Sequence, residues 1–235
     1  MIKLSCIIPV YSEENILQTT VDGLVARAQD SLHEIILIVS PRSTARTFEI
    51  CHALEQKYSY LHHYIQQNNP GLGRAYKQAF TYVTGTHVLM LDADGEMELD
   101  TVPKMIAAAE SGFDLVLASR WIKGGRVYDY DPLTYVLNRG FQYLFRLLYL
   151  TGIHDLTYGF KIFNARLLEE VHWWGDWHEI AMETTLKPLR LGYKIAEIPS
   201  VWRKRTEGVS KMNTWKRFRY APFALRILCT KKNRL

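Results

Sequence analysis

Cysteine is scarce in this 235-residue chain: Cys6, Cys51 and Cys229 are widely spaced, odd in number and at no metal-ligand spacing. That argues against a disulfide framework and fits a reducing compartment. No run of about 20 apolar residues is present, so no segment has the length to cross a bilayer as a helix. The opening Leu4-Ser5-Cys6-Ile7-Ile8-Pro9 is too short for a signal peptide and lacks a cleavage pattern, so no export is expected. Internal repeats, low-complexity tracts and linker-like stretches are also missing, which leaves one large domain as the expectation. What is present is a globular composition, 48% apolar, enough to bury a substantial core.

Acid is nearly absent from one part of the chain. Residues 203–235 hold 11 Lys and Arg against the single acid Glu207, so this tail carries +10 and the body −5 within a total of +5. Trp215, Phe218, Tyr220, Phe223, Leu225, Ile227 and Leu228 are interleaved with the basic residues. Such a tail suits an anionic membrane surface. A solvated basic helix with an ordinary core face satisfies the same pattern. Nucleic acid is not the expected partner, since the acidic body would repel its phosphates.

Over the first 120 residues, short apolar runs alternate with helix-compatible stretches, the pattern of an α/β layer fold with a mostly parallel sheet. Strands are predicted at Leu4–Val10, 34–39, Leu61–Ile65, 87–91 and 114–118, and helices at 13–27, 43–58, 72–83 and 99–110. Open parallel sheets place their chemistry beyond the carboxyl ends of the strands. Residues 11–13, 40–43, 92–96 and 119–120 are therefore expected to share one crevice. A Gly-rich aromatic loop over 123–132 follows, then a strongly apolar helix over 133–150 whose Asn138, Arg139, Gln142 and Arg146 gather on one side. That helix can lie in a membrane interface with its apolar face down, or pack on the sheet. A helix over 179–190 and a strand over 194–198 lead to the tail.

Leu89-Met90-Leu91-Asp92-Ala93-Asp94-Gly95 sets two carboxylates at i and i+2, on one side of the chain at the end of an apolar strand. Two such groups suit a hard cation shared with substrate phosphates. A turn-forming or capping pair explains the pattern equally. The Trp173-Trp174-Gly175-Asp176-Trp177-His178 cluster reads as packing, and His62 and His63 have no partners at metal spacing.

With these segments in hand, the sequence resembles the family-2 glycosyltransferases of the GT-A fold, and within them the dolichyl-phosphate mannose synthase-like group. The resemblance runs through Ile7-Ile8-Pro9-Val10-Tyr11-Ser12-Glu13-Glu14, Asn69-Pro70-Gly71-Leu72-Gly73-Arg74-Ala75, Asp92-Ala93-Asp94 and Ala118-Ser119-Arg120. It continues through Asp155-Leu156-Thr157-Tyr158-Gly159-Phe160-Lys161, Met182-Glu183 and Arg205-Thr206-Glu207-Gly208-Val209-Ser210-Lys211. It implies a GT-A catalytic domain over 1–211, with a nucleotide-sugar half to about 120 and an acceptor half after it, then a basic amphipathic tail over 212–235. It further implies Mg²⁺ or Mn²⁺ on Asp92 and Asp94, with Glu96 as a third ligand. Pro9, Tyr11, Glu13, Ser40, Gly73, Ala93, Arg139, Arg205 and Lys211 are implied to contact donor or acceptor. The implied reaction is inverting transfer of a hexose from a GDP- or UDP-sugar to a polyprenyl or dolichyl lipid phosphate, by a cytoplasmic protein held peripherally at the membrane. A saccharide acceptor and a non-catalytic nucleotide-sugar-binding module are the alternatives.

One departure matters. Where the family has an Asp-Asp-Gly-Ser-Thr-Asp turn, this chain reads Ser40-Pro41-Arg42-Ser43-Thr44-Ala45, so the acidic nucleoside contacts are replaced and Arg42 is either a phosphate or base contact or an exposed loop residue. A lipid phosphate is already largely anionic near neutral pH, with a second pKa of about 6, and needs cations rather than a strong base. Arg120, Arg139, Arg205 and Lys211 are the candidates. A hydroxyl acceptor would instead need a base, for which Asp155, Glu183 and His154 are candidates, although Asp155 and Glu183 read better as site-shaping or sugar-binding groups.

Overall fold

The computed structural model describes residues 1–204 and 220–235. A seven-stranded sheet in the order β3-β2-β1-β4-β7-β5-β8 forms its centre. The strands are β1 (Leu4–Val10), β2 (Leu32–Val39), β3 (Leu61–Ile65), β4 (His87–Met90), β5 (Leu115–Ser119), β7 (Lys161–Asn164) and β8 (Ile195–Pro199), while β6 (Arg126–Val127) and β9 (Val201–Trp202) make a separate parallel ribbon. All pairings in the main sheet are parallel except those of β7, which runs against both β4 and β5. The six strands expected from the sequence lie within two residues of their expected bounds. The short β6, β7 and β9 were not expected: two or four residues are too few to show a period, and β7 opens on a lysine.

Central strands are buried on both faces, as helices on either side of a parallel sheet require. In β1, Cys6 and Ile8 join one core with Leu17 and Leu24 of α1 (Asn15–Ala28) and Ile50 and Leu54 of α2 (Ala45–Lys57). Ile7 faces the other side, with Ala75, Tyr76 and Ala79 of α3 (Leu72–Phe80). Helix α4 (Val102–Glu110) covers the first face. The Thr44 hydroxyl caps α2 by accepting from the Thr47 amide at 3.1 Å, and Asp131 caps α5 (Pro132–Leu148) by accepting from the Thr134 amide at 2.9 Å.

A third core joins Phe145 of α5, Met182 and Leu186 of α7 (Glu179–Leu191), and Ala224 and Ile227 of α8 (Tyr220–Cys229). Between β7 and α7 lies a single helical turn, α6 (Leu167–Glu170). Arg190 Nη1 donates to the carbonyls of Ile227 and Thr230, the latter at 2.6 Å, and the His172 amide donates to Leu235 O at 2.7 Å. Residues 220–235, expected as part of a tail, are therefore packed on the body. The cause is an Ala224/Ile227 stripe at i, i+3, which buries against α5 and α7. No helix among the described residues is long and apolar enough to cross a membrane.

Candidate active site

The carboxyl ends of β1, β2, β4 and β5 open on the same edge of the sheet, as expected. After β1 the chain turns sharply, and Glu13 Oε2 accepts from the amides of Tyr11 and Ser12 at 2.7 and 3.0 Å. Pro9 is half-buried in β1, and Tyr11 is exposed at the rim. Ser40, buried, receives Arg42 N at 3.2 Å and Asn69 Nδ2 at 2.9 Å on its hydroxyl, and its own amide donates to Val10 O. It joins the turns that follow β1, β2 and β3, while Pro41 and Arg42 stay exposed.

Gly73 lies in the first turn of α3, against the 175–176 backbone. A Cβ there would lie 2.3 Å from Gly175 O, and one on Gly71, at φ 144°, would lie 2.4 Å from Asp176 O. Glycine is needed at both positions because the 175–176 backbone fills this space, which seats the start of α3 closely against that loop. Glu183 sits behind this contact. Fully buried, it accepts from the amides of Trp174 and Gly175, each at 2.7 Å, and pairs with Lys187 Nζ at 2.7 Å. Lys187 also lies over the Trp174 ring, and burial lowers its pKa against the pull of Glu183. Glu183 thus braces the loop that supports α3.

At the end of β4, Leu91 and Ala93 are buried in the core while Asp92 is half-buried and Asp94 buried. Ala93 is a core residue; its backbone oxygen accepts from Thr20 Oγ1 at 3.5 Å. The alternation leaves the two carboxylates on the side away from Ala93. Asp94 Oδ1 accepts from the Glu96 amide at 3.1 Å, Gly95 takes φ 71°, and Asp92 Oδ1 accepts from Tyr76 OH at 3.4 Å. Glu96 turns toward β9, its Oε2 accepting from Trp202 Nε1 at 2.9 Å, and among the described residues it does not gather with Asp92 and Asp94 as a set of three ligands. The Asp92 and Asp94 oxygens are hard donors at a crevice mouth, a set that fits Mg²⁺ or Mn²⁺ completed by phosphate oxygens.

Arg120 and Asp155 form a buried, two-pronged ion pair: Nε to Oδ2 at 2.8 Å and Nη2 to Oδ1 at 2.9 Å, with the Arg120 amide also donating to Oδ2 at 3.1 Å. Burial opposes the guanidinium charge, yet Asp155 together with Tyr130 and Tyr158 outweighs it, and the pKa is raised above the ordinary arginine value. Arg120 further donates to Tyr130 OH and Thr157 Oγ1. Its guanidinium covers the Tyr158 ring at 4.3 Å. His154 is held through its amide and Nδ1 by Glu197 Oε2, at 2.9 and 3.0 Å.

Tyr76 and Tyr158 stand beside the acidic pair although sequence reasoning did not single them out as site residues. Both are buried beside the acidic pair, and burial first, then the nearby carboxylates, raises both phenol pKa values, with Arg120 opposing at Tyr158. The Tyr158 hydroxyl has no hydrogen-bond partner among the described residues. Its one sequence signal is its place in the Asp155–Lys161 motif, where the resembled family has Ser. Gln142, facing inward from α5, donates to Thr157 Oγ1 at 2.8 Å and accepts from the Leu156 amide at 2.9 Å. Arg139 is exposed on the same helix, 5.1 Å from the Trp121 ring centre. Arg205 and Lys211 lie outside the described residues.

The profile of glycosyl transferase family 2 matches residues 5–172. Polyprenol monophosphomannose synthase of Mycolicibacterium smegmatis is 30% identical over 217 residues, covering 88% of this chain and 80% of that protein. Dolichol-phosphate mannosyltransferase of Pyrococcus furiosus is 27% identical over 228 residues, 96% of this chain but 64% of that longer protein. In fold, the chain matches glucosyl-3-phosphoglycerate synthase of Mycobacterium tuberculosis, solved with Mn²⁺, uridine diphosphate and phosphoglyceric acid. The TM-score is 0.71 at 16% identity, over 97% of this chain and 77% of that one. The same enzyme with Mg²⁺ and uridine diphosphate matches equally, at 0.71.

Proposed function

Because the chain belongs to glycosyl transferase family 2, we propose that it moves a hexose, mannose first among the candidates, from a nucleoside-diphosphate sugar to a polyprenyl-type lipid phosphate at a membrane surface, with inversion. The names of the two relatives support mannose and a polyprenol phosphate. The observation that carries the acceptor class is the state of the three base candidates. Asp155 spends both oxygens on Arg120, Glu183 spends both on the 174–175 amides and Lys187, and His154 is held by Glu197. A hydroxyl acceptor needs a base within reach of its proton, whereas an anionic phosphate does not. This arrangement favours phosphate.

The chain's own residues then divide the work. The turns after β1, β2 and β3, joined through Ser40, form the floor for the nucleoside, with Tyr11 at its rim. Asp92 and Asp94 would hold Mg²⁺ or Mn²⁺, which supplies charge to stabilise the departing diphosphate. Tyr76 orients Asp92, and the Arg120–Asp155 pair fixes the wall between the acidic pair and α5. Arg139, with Arg205 and Lys211, supplies cationic positioning for the acceptor phosphate.

Helix α5 supports delivery from a membrane. Its inner side carries Gln142 and Phe145, while Val136, Tyr143, Leu147 and, just beyond its end, Leu150 are 64, 74, 68 and 89% exposed. A contiguous apolar face of this kind suits an interfacial helix with the acceptor site directly beneath it.

The test is transfer from a panel of GDP- and UDP-sugars to a short polyprenyl phosphate with Mg²⁺ or Mn²⁺, controlled by EDTA and by Asp94→Ala. A chelator-sensitive lipid-linked hexose is the expected product. Product only on phosphoglyceric acid or a saccharide would replace the acceptor, and donor binding without any transfer would leave a binding module.

A further inference from the structure

On the outer edge of the sheet, away from the crevice, we propose that His52, Glu55 and His63 form a second cation site, one for a borderline transition metal of the Zn²⁺ class. His62 and His63 stand without partners in the sequence, but the fold supplies them from another element. His52 and Glu55, three residues apart, share one face of α2. Helix α2 packs beside the edge strand β3, which carries His63. One ligand atom from each of the three lies within 4.8 Å of the others.

Two details point to a ligand. His63 is only 12% exposed, and its Nδ1 is 2.9 Å from Glu55 Oε2 yet off the line a hydrogen bond requires, so this buried nitrogen has no hydrogen-bond partner. The His52 and His63 rings meet edge to face at 4.5 Å, without a bond between them. Two imidazoles and a carboxylate whose ligand atoms lie this close, with His52 exposed to water, suit a four-coordinate site with a single exchangeable position. Imidazole ligands favour Zn²⁺, Ni²⁺, Co²⁺ or Cu²⁺ over Mg²⁺, so the site differs in preference from the all-oxygen pair Asp92/Asp94. A cation here ties α2 to the sheet's edge strand. The opposite end of α2 is bonded to the donor turn, through Thr44 to Glu14 and Thr47 to Glu13.

The experiment uses the full chain, stripped with chelator, dialysed and titrated with Zn²⁺, and with Co²⁺ as a spectroscopic probe, under excess Mg²⁺ to occupy the oxygen site. The expected result is one Zn²⁺ per chain, a raised melting temperature and the visible absorption of four-coordinate Co²⁺. His52→Gln, on an exposed helical position that tolerates change, and His63→Gln should each weaken binding about tenfold or more. Asp94→Ala should not. Unaltered Zn²⁺ binding in the His52 and His63 variants would overturn the assignment.

Discussion

Replacing Asp94 by alanine removes one of two carboxylates at the crevice mouth and the hydrogen bond its oxygen accepts from the Glu96 amide. That bond is worth about 1 kcal/mol, so the protein should stay folded while metal-dependent donor binding is lost. Nucleotide titration calorimetry with and without Mn²⁺ measures this; donor binding that keeps its full metal dependence would remove Asp94 from the metal site. Asp155→Asn acts differently. It leaves the Arg120 guanidinium buried beside a neutral amide, and breaking one side of such a pair costs about 3–5 kcal/mol, to be read as a lowered urea midpoint. A midpoint unchanged from wild type would mean the pair contributes little.

Lys161 gives a prediction in pH. It lies buried in β7, bonded to Ala181 O and Thr185 Oγ1, and burial lowers its pKa to about 7 from 10.5. Between those values the unfolded chain binds more protons than the folded one, so this residue's contribution to stability rises with pH across the window and is least below pH 7. The stability of wild type relative to Lys161→Met should therefore increase from neutral to alkaline pH. A constant difference would show that Lys161 titrates alike in both states.

At the scale of elements, α5 is where stability and membrane contact separate. Val136 and Leu147 face solvent, so Val136→Asp with Leu147→Asp should leave the melting temperature close to wild type. Each apolar side chain withdrawn from lipid forfeits about 1.5–3 kcal/mol, enough for a loss of tenfold or more in liposome binding. Transfer to a short polyprenyl phosphate in solution should persist. Equal sedimentation of wild type and variant with liposomes would show that α5 is not the contact surface.

For the whole molecule, the third core joins α5 and α7 to α8, so residues 220–235 are a structural buttress. A chain ending at residue 219 should expose Phe145, Met182 and Leu186 and lose the Arg190 contacts to Ile227 and Thr230. Loss of thermal cooperativity by circular dichroism is expected in solution, before any lipid is added. A truncated form as stable as the full chain would restore the view of this segment as a tail.

Much of this was already legible in the order of residues. Strands buried on both faces appear as continuous apolar runs, so the α/β architecture and the place of Asp92 and Asp94 just after β4 could be read directly. Local chemistry is enough where neighbours in sequence are neighbours in space. Tertiary structure decided the rest, because it alone brings distant residues together. Asp155 meets Arg120 across 35 positions; Glu183 accepts from the 174–175 amides; Gly73 meets the backbone of Gly175; and His63 finds His52 and Glu55 on a helix. A charged side chain advertises its chemistry in the sequence, but whether that chemistry is available or already spent depends on which partner the fold places beside it.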